Sequence, residues 1–132
     1  MSFLVDTDIC SAYLRGDNRV YGRFVQYGGR LHVSAVTAGQ LFTWALVAGP
    51  ASTRMQRLLA LLREMIFLDV NRSVSEKFGD LRVQQIRQGL RTPDTDLLIA
   101  ATGVVYNLTV VTHNQKHFVT IPGLSLQDWL TP

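Results

Sequence analysis

From Pro93 to Asn114 the chain reads PDTDLLIAATGVVYNLTVVTHN. The apolar stretch from Asp96 to Tyr106 follows the helix-starting residues Thr92-Pro93-Asp94, so we expect a buried helix there with Asp94 as its cap. The next residues, Leu108–Thr112, form the clearest strand in the chain because they are rich in β-branched side chains. A buried helix that leads directly into a buried strand is typical of α/β proteins with a parallel sheet.

The rest of the chain repeats this alternation, with stop signals such as Gly28-Gly29 and Gly49-Pro50 between the elements. Further strands are predicted at Phe3–Val5, Leu31–Val33 and Ile66–Leu68, with an edge strand at Leu124–Leu126. Helices are predicted at Ile9–Leu14, Val20–Tyr27, Ala38–Val47, Ser52–Arg63 and Ser73–Gln88, the last with Val74, Phe78, Leu81 and Ile86 facing inward. We therefore predict a single α/β domain over residues 1–132, with three layers and a central, mostly parallel sheet of four to five strands flanked by helices.

Composition narrows the class of protein. The chain has 132 residues, of which 47% are hydrophobic and 17% charged, so it can bury a core and is not a disordered chain. A lone Cys10 excludes an internal disulfide and a cysteine-based zinc site. No apolar run is long enough for a transmembrane helix and no signal peptide is readable, so we expect a cytoplasmic protein. The net charge of +3 is a mild attraction for polyanions that many soluble enzymes share.

Polar residues follow the predicted strands at places where a parallel sheet binds ligands, beyond the carboxyl ends of its strands. Asp6 follows the first strand, Asp94 and Asp96 open the long apolar helix, and Thr112 and Asn114 follow the clearest strand. Carboxylates that lie close together repel one another, and a hard divalent cation is the usual way to hold them. Two such oxygens with several waters suit Mg²⁺ or Mn²⁺ better than zinc.

Each of these residues also has a purely structural interpretation. Asp6 can serve only as a helix cap, Asp8 as a solvated acid of the first turn, and Asn114 as a turn residue. Asp96 is harder to explain in this way, because Asp94 already serves as the cap of the same helix. The pattern favours a metal site, but spacing alone does not establish one.

Four segments resemble the motifs of the PIN-domain family, in particular the VapC-type toxins of bacterial toxin–antitoxin systems. The opening resembles their hydrophobic-Asp-Thr-Asn-Ile signature, and the second segment their Ser-x-x-Thr-x-x-Glu-Leu motif. The third is close to the most specific motif of the family, and the fourth resembles its C-terminal end. In order, these segments are Leu4–Ile9, Val33–Leu41, Pro93–Thr102 and Leu108–Phe118, the last continued by Ile121–Leu124 and Trp129-Leu130.

The resemblance implies a site of four acidic positions around one or two Mg²⁺ or Mn²⁺ ions. Its implied reaction is attack on an RNA phosphodiester by a water that the metal activates. Residue by residue, Asp6 takes the first acidic position and Asp96 the third. Thr112 and Asn114 take the polar positions that support the metal or its waters. The match runs in the right order along essentially the whole chain.

Two of the four acidic positions carry other residues: Gln40 stands at the second and His117 at the fourth. Gln40 still offers an oxygen but removes a negative charge, while His117 is a nitrogen ligand that Mn²⁺ tolerates better than Mg²⁺. Asp94 or Asp8 is a neighbouring acid that could restore part of the charge. We expect weakened metal binding, and low or absent activity.

The resemblance also implies partners. VapC toxins are held silent by a small antitoxin and commonly act as homodimers or dimers of dimers, so an antitoxin, an RNA substrate and a second copy are the expected partners. Tyr13, Leu14, Trp44 and the stripe Met55–Leu62 can form a hydrophobic groove for a partner helix. An ordinary buried face explains the same residues equally well. His113 is a candidate RNA contact.

Three functions remain open from the sequence. The first is a metal-dependent endoribonuclease, and the second is a catalytically inactive PIN module that binds an antitoxin or RNA. The third is a phosphotransferase, because Asp6-Thr7-Asp8-Ile9 also resembles the Asp-x-Asp opening of haloacid-dehalogenase-like enzymes. That chemistry needs a downstream lysine for the phosphate, and neither Lys77 nor Lys116 has the expected context.

Overall fold

A computed structural model describes residues 1–131 of the chain. The strands are β1 (Phe3–Val5), β2 (Leu31–Ser34), β3 (Ile66–Leu68), β4 (Thr109–Val111) and β5 (Leu126–Gln127). The α-helices are α1 (Thr7–Leu14), α2 (Asn18–Gln26), α3 (Ala35–Val47), α4 (Thr53–Arg63), α5 (Arg72–Gln88) and α6 (Asp94–Tyr106). A short 3₁₀ helix covers Gln115–His117. None of the helices described between residues 1 and 131 is long and apolar enough to cross a membrane.

All five strands form one parallel sheet in the order β3-β2-β1-β4-β5. Strand β1 lies at the centre, with Phe3 opposite Leu31 of β2 on one side and opposite Thr109 of β4 on the other. Parallel neighbours bring their carboxyl ends to the same edge. The residues that follow β1, β4 and β5 therefore meet at one edge of the sheet.

Helices cover the sheet on both faces, as alternate side chains of the strands require. Phe3 and Val5 point into one core, which is completed by residues of α1, α2, α3 and α4. Leu4 and Val110 point into the opposite core, together with residues of α5 and α6. The prediction of a three-layer α/β fold with a parallel sheet is confirmed.

The start of α6 differs from the prediction. The helix begins at Asp94, Pro93 occupies the N-cap position, and no side chain caps the end. Proline suits the beginning of a helix because its fixed φ and missing N–H cost nothing there. Asp94 is therefore not the cap, and its carboxylate instead accepts a hydrogen bond of 2.7 Å from Arg82 of α5. The prediction that Asp94 caps α6 was therefore wrong.

The inward face of α5 also differs by one position. Ile86, predicted to face inward, is 68% exposed, whereas Gln85 is 3% exposed. Burial of an amide is tolerated because Gln85 donates to the Thr92 hydroxyl at 2.7 Å and accepts from the Thr92 N–H at 3.2 Å. Apolar spacing alone could not reveal this, because the partner lies in the loop after the helix.

Candidate active site

The candidate site lies at the carboxyl edge of the sheet. Asp6 directly follows β1 and Thr112 directly follows β4. Three other predicted residues come from helices: Gln40 from α3, Asp96 from the first turn of α6, and His117 from the 3₁₀ helix. Residues 6 and 112 are thus fixed by the sheet itself, while the remaining residues depend on how the helices pack.

Asp6 is both a helix cap and a site residue. It is 6% exposed, and its Oδ1 accepts from the Thr7 N–H at 2.7 Å at the start of α1. Its Oδ2 accepts from the Thr112 hydroxyl at 2.8 Å. The Thr112 hydroxyl also accepts from the Asn114 N–H at 3.1 Å. The two interpretations that the sequence left open for Asp6 are therefore compatible.

Negative charges converge on Asp6. Burial, and after it the neighbouring carboxylates of Asp8 and Asp96, together raise the pKa of Asp6 to about 6, although the hydrogen bonds from Thr7 and Thr112 act to lower it. Asp6 and Asp96, which are 90 residues apart in sequence, therefore lie close enough to repel each other. This repulsion is what a bound cation would relieve.

Asp8 is less solvated than the sequence indicated. Its Oδ1 accepts from the Ile9 N–H at 2.8 Å, and its Oδ2 accepts from the His113 N–H at 2.9 Å. Burial raises the pKa of Asp8 in spite of these hydrogen bonds, which act in the opposite direction. Asp8 is thus hydrogen-bonded to the loop after β4. It lies at the border of the acidic cluster, by which we mean Asp6 and Asp96.

The carboxylate of Asp96 is hydrogen-bonded to His117, the histidine at the fourth acidic position of the motif. The His117 Nδ1 lies 2.6 Å from Asp96 Oδ2 and 2.7 Å from the side-chain amide of Asn114. An ionised carboxylate only accepts, so Nδ1 carries the hydrogen and donates it to Asp96. A positive partner or a proton donor thus stands where the resemblance implies a fourth negative charge.

Gln40 is exposed on α3, and its Oε1 accepts a hydrogen bond from the Thr7 hydroxyl. Thr7 is adjacent to Asp6, so the amide lies beside the acidic cluster, as expected from its place in the second motif. It adds an oxygen to the site but no charge. Asp94, in contrast, is 74% exposed at its side chain and paired with Arg82, so it is engaged elsewhere.

The contacts that hold His117 in place could not be predicted from the sequence. Its carbonyl accepts from the Thr92 hydroxyl at 3.2 Å, and Arg82 donates to the Thr92 carbonyl at 2.8 Å. Gln85 completes this group through its contacts with Thr92. The polar residues at 82, 85 and 92 were the available signal, but only the packing of α5 on α6 connects them.

The donor set is of the chemical kind that a hard cation binds, although it holds few charged ligands. Among residues 1–131, no three His, Cys, Asp or Glu side chains are grouped so that they could hold a metal ion by themselves. Asp6 and Asp96 supply two carboxylates, and Gln40 supplies a neutral oxygen. Mg²⁺ is typically bound by one or two carboxylates plus waters and substrate phosphates, so two acids are sufficient in kind. The raised pKa of Asp6 indicates that the negative charge there lacks compensation.

A groove of about 870 Å³ lies away from this site, between α1, α2 and α4. Its lining includes the predicted residues Tyr13 and Leu14, but not Trp44 or Met55. Met55 is 8% exposed and belongs to the core, and Trp44 packs against that core from outside. Of the residues predicted for a partner surface, Tyr13 and Leu14 thus line this groove, and on α4 the groove is lined by Arg57, Ala60, Leu61 and Glu64.

The family model for the PIN domain matches residues 3–124. With the parallel sheet and the acidic residues at its carboxyl edge, this establishes the class: the chain belongs to the PIN-domain family.

Within that class, its relatives are VapC ribonucleases. The chain is 25% identical to Ribonuclease VapC2 of Rickettsia felis over 132 residues, covering 98% of both chains. It is 27% identical to the tRNA(fMet)-specific endonuclease VapC of Shigella flexneri over 135 residues, again covering 98% of both.

Solved structures agree with this assignment. The structure of VapBC2 from Rickettsia felis, bound to a DNA fragment from its promoter, matches with a TM-score of 0.89 over 98% of this chain and 99% of that chain, at 24% identity. DNA-bound VapBC from Salmonella typhimurium matches with a TM-score of 0.83 at 26% identity, covering 98% of both chains. The family assignment leaves the phosphotransferase alternative without support, and Lys77 forms an ion pair with Asp80 at 3.4 Å on α5.

Proposed function

We propose that this chain is an endoribonuclease of the VapC toxin type that depends on Mg²⁺ or Mn²⁺ and holds the ion weakly. The observation that carries the proposal is the convergence of Asp6, Asp8 and Asp96 at the carboxyl edge of a PIN-family sheet, where burial and then repulsion by the other two carboxylates raise the pKa of Asp6. The curated relatives are named ribonucleases or endonucleases, which supports the same reaction class.

The side chains have separate roles in this proposal. Asp6 and Asp96 would hold the cation, which when bound activates a water and offsets charge on the phosphate. Thr112 orients the carboxylate of Asp6 through its hydroxyl. Asn114 supports Thr112 through its backbone N–H and contacts His117 through its amide. Gln40 offers an oxygen beside Thr7.

The direct test is cleavage of tRNA and structured RNA by the purified protein with Mn²⁺ or with Mg²⁺. We expect slow cleavage that is faster with Mn²⁺, that stops in EDTA, and that is abolished by Asp96→Asn. Asp94→Asn is the matched control, because this acid lies on the same helix but pairs with Arg82. If RNA stays intact with both ions and also in the variant Gln40→Glu, the chain is not a ribonuclease.

One observation favours a second candidate, a catalytically inactive PIN module that binds an antitoxin or RNA. His117 donates to Asp96 at 2.6 Å and so competes with a cation for that carboxylate. In this case the chain binds RNA or antitoxin without detectable Mn²⁺ in calorimetry, and His117→Asp restores ion binding. Cleavage by the unmodified protein excludes this candidate.

We also propose a small antitoxin as the partner of the groove between α1, α2 and α4. Both solved neighbours described above are VapBC complexes, and the groove is lined by aromatic and aliphatic side chains with Arg15 and Arg57 among them. Such a lining fits an amphipathic helix that carries acidic residues. A homodimer or dimer of dimers and a cytoplasmic location remain predictions.

The groove is tested by Ala60→Glu, which places a carboxylate on its exposed lining. The control is Leu59→Glu, since Leu59 is the adjacent residue of α4, is 43% exposed and does not line the groove. Co-expression with the small protein encoded beside this chain should give a complex that survives Leu59→Glu and dissociates with Ala60→Glu. Equal effects of the two changes would place the partner elsewhere.

A further inference from the structure

His113 and Asp128 form a pair at the same edge of the sheet as the acidic cluster. Strands β4 and β5 are parallel, with Val111 opposite Gln127, so the residues after them emerge side by side. The Thr112 N–H donates to the Gln127 carbonyl at 2.9 Å and extends this register by one residue. As a result, the His113 Nδ1 lies 2.8 Å from Asp128 Oδ2.

Asp128 is fixed and ionised. Its Oδ1 accepts from the Leu130 N–H at 2.9 Å, and its Oδ2 also accepts from the Thr131 hydroxyl. Partial burial acts to raise the pKa of Asp128, but the hydrogen bonds from Thr131, Leu130 and His113 outweigh it, so that the pKa lies below its usual range. The adjacent Trp129 is 4% exposed and anchors this segment in the core.

The carboxylate of Asp128 determines which nitrogen of His113 carries the hydrogen. Because an ionised carboxylate only accepts, Nδ1 is the donor, and in the neutral ring Nε2 keeps a free lone pair. The side chain of His113 is 60% exposed, and within residues 1–131 its Nε2 has no hydrogen-bonding partner. An oriented acceptor therefore faces solvent.

This acceptor stands next to the candidate active site. The backbone N–H of His113 donates to Asp8 Oδ2 at 2.9 Å, and the charge of Asp8 in turn raises the pKa of Asp6. A hydroxyl suits this position better than a phosphate, because a neutral ring nitrogen accepts a hydrogen and the surrounding carboxylates repel anions. The ribose 2′-hydroxyl is the donor that RNA has and DNA lacks.

We propose that His113 is a specificity-determining residue that accepts a hydrogen bond at Nε2 from a ribose 2′-hydroxyl beside the cleavage site, and that Asp128 is the positioning residue that fixes its tautomer. The proposal rests on the proposed function, since it takes RNA to be the ligand of the edge. It predicts a preference for RNA over DNA that needs no positive charge on His113.

The test is fluorescence anisotropy with a labelled RNA hairpin, a DNA hairpin of the same sequence, and the RNA methylated at its 2′-oxygens. Ca²⁺ serves as the cation, and electrophoresis after each titration verifies that the strands are intact. For the loss of one neutral hydrogen bond, His113→Phe should weaken RNA binding about three- to tenfold and leave DNA binding unchanged. His113→Gln, which restores an acceptor, should recover part of the affinity.

Asp128→Asn gives a second, spectroscopic readout. Nitrogen-15 NMR of the neutral His113 ring in the unmodified protein should report the hydrogen on Nδ1 and none on Nε2. In Asp128→Asn it should report a mixture of tautomers, because an amide can donate as well as accept. A thermal melt of each variant verifies that it is folded.

The outcomes separate the two proposals. Equal loss of RNA and DNA binding in His113→Phe, or no change in either, overturns the role of His113 and leaves the ribonuclease assignment intact. Tight binding of the methylated RNA also overturns that role. If the unmodified protein binds neither RNA nor DNA, both proposals are overturned.

Discussion

The candidate site has two unlike halves. On the Asp6 side, both carboxylate oxygens accept hydrogen bonds from groups that the sheet and the first helix fix in place, and the residue is 6% exposed. On the Asp96 side, the carboxylate lies on a helix and meets His117, while Gln40 is exposed on another helix. Both departures from the four-acid pattern fall on this second side.

The contrast between the two halves separates residues that the fold needs from residues that only a bound cation would need. Asp6 and Thr112 serve the structure as well as the proposed chemistry, because one caps α1 and the other joins β4 to that cap. A negative charge at positions 40 and 117 would serve only the cation. Side chains at positions 40 and 117, in the Asp96 half of the site, can therefore change without destabilising the sheet.

Placing carboxylates at positions 40 and 117, in the Asp96 half of the site, should change ion affinity more than any other substitution considered. The double variant Gln40→Glu, His117→Asp should bind Mn²⁺ more tightly, by on the order of 10- to 100-fold for each restored carboxylate. Isothermal titration calorimetry measures the affinity. Gln88→Glu, at an exposed position at the end of α5, is the control for the single negative charge that each of the two substitutions adds. Unchanged affinity in the double variant would mean that missing charge is not what limits ion binding.

The next effect is the pH dependence of stability on the Asp6 side. Without metal, the folded protein holds the Asp6 proton up to a pH of about 6, whereas the unfolded chain loses it near 3.8. Stability contributed by this proton is therefore present below pH 4 and is lost as pH rises to 6, by up to about 3 kcal/mol. Denaturant titrations of the unmodified protein and of Asp6→Asn, which keeps a cap, should diverge over this window. Parallel curves would contradict the raised pKa.

A smaller effect tests the packing that joins the halves. A Cβ on Gly103 of α6 would lie 2.8 Å from the buried Val110 Cγ2 and 3.0 Å from Leu124 Cδ1. Gly103→Ala should therefore destabilise the fold by about 1–3 kcal/mol through overpacking, and lower Mn²⁺ affinity by displacing Asp96. Gly79→Ala on α5 meets open space and should stabilise the fold. Thermal melts compare the two, and equal shifts would exclude the steric argument.

The smallest effect concerns a buried hydroxyl on α3, one turn before Gln40. Thr37 is fully buried, and its Oγ1 has no hydrogen-bonding partner among the described residues. Thr37→Val keeps the shape and should raise the free energy of unfolding by about 1 kcal/mol. Thr43→Val on the same helix removes a hydroxyl that donates to the Gly39 carbonyl at 3.1 Å, and should give no gain.

Much of the fold was predictable because its strands are short, buried and separated by helices. The Asp6 half was predictable for the same reason, since a residue that directly follows a parallel strand has only one edge to occupy. The contacts of the Asp96 half were not, because the approach of His117 to Asp96 depends on the 3₁₀ helix and on Thr92. The pair of His113 and Asp128 needed the neighbouring positions of β4 and β5, and Leu124–Leu126 was predicted two residues too early for that strand.

The central position of β1 has a consequence for synthesis. Of the five described strands, β1 leaves the ribosome before the others and must later lie between two of them, the second of which begins at Thr109. At about 5–20 residues per second, the nascent chain waits roughly 5 to 20 s before that neighbour exists. For most of translation Asp6 therefore lacks the hydrogen bond from Thr112. A polypeptide that is interrupted before Thr112 has been added carries an incomplete candidate site.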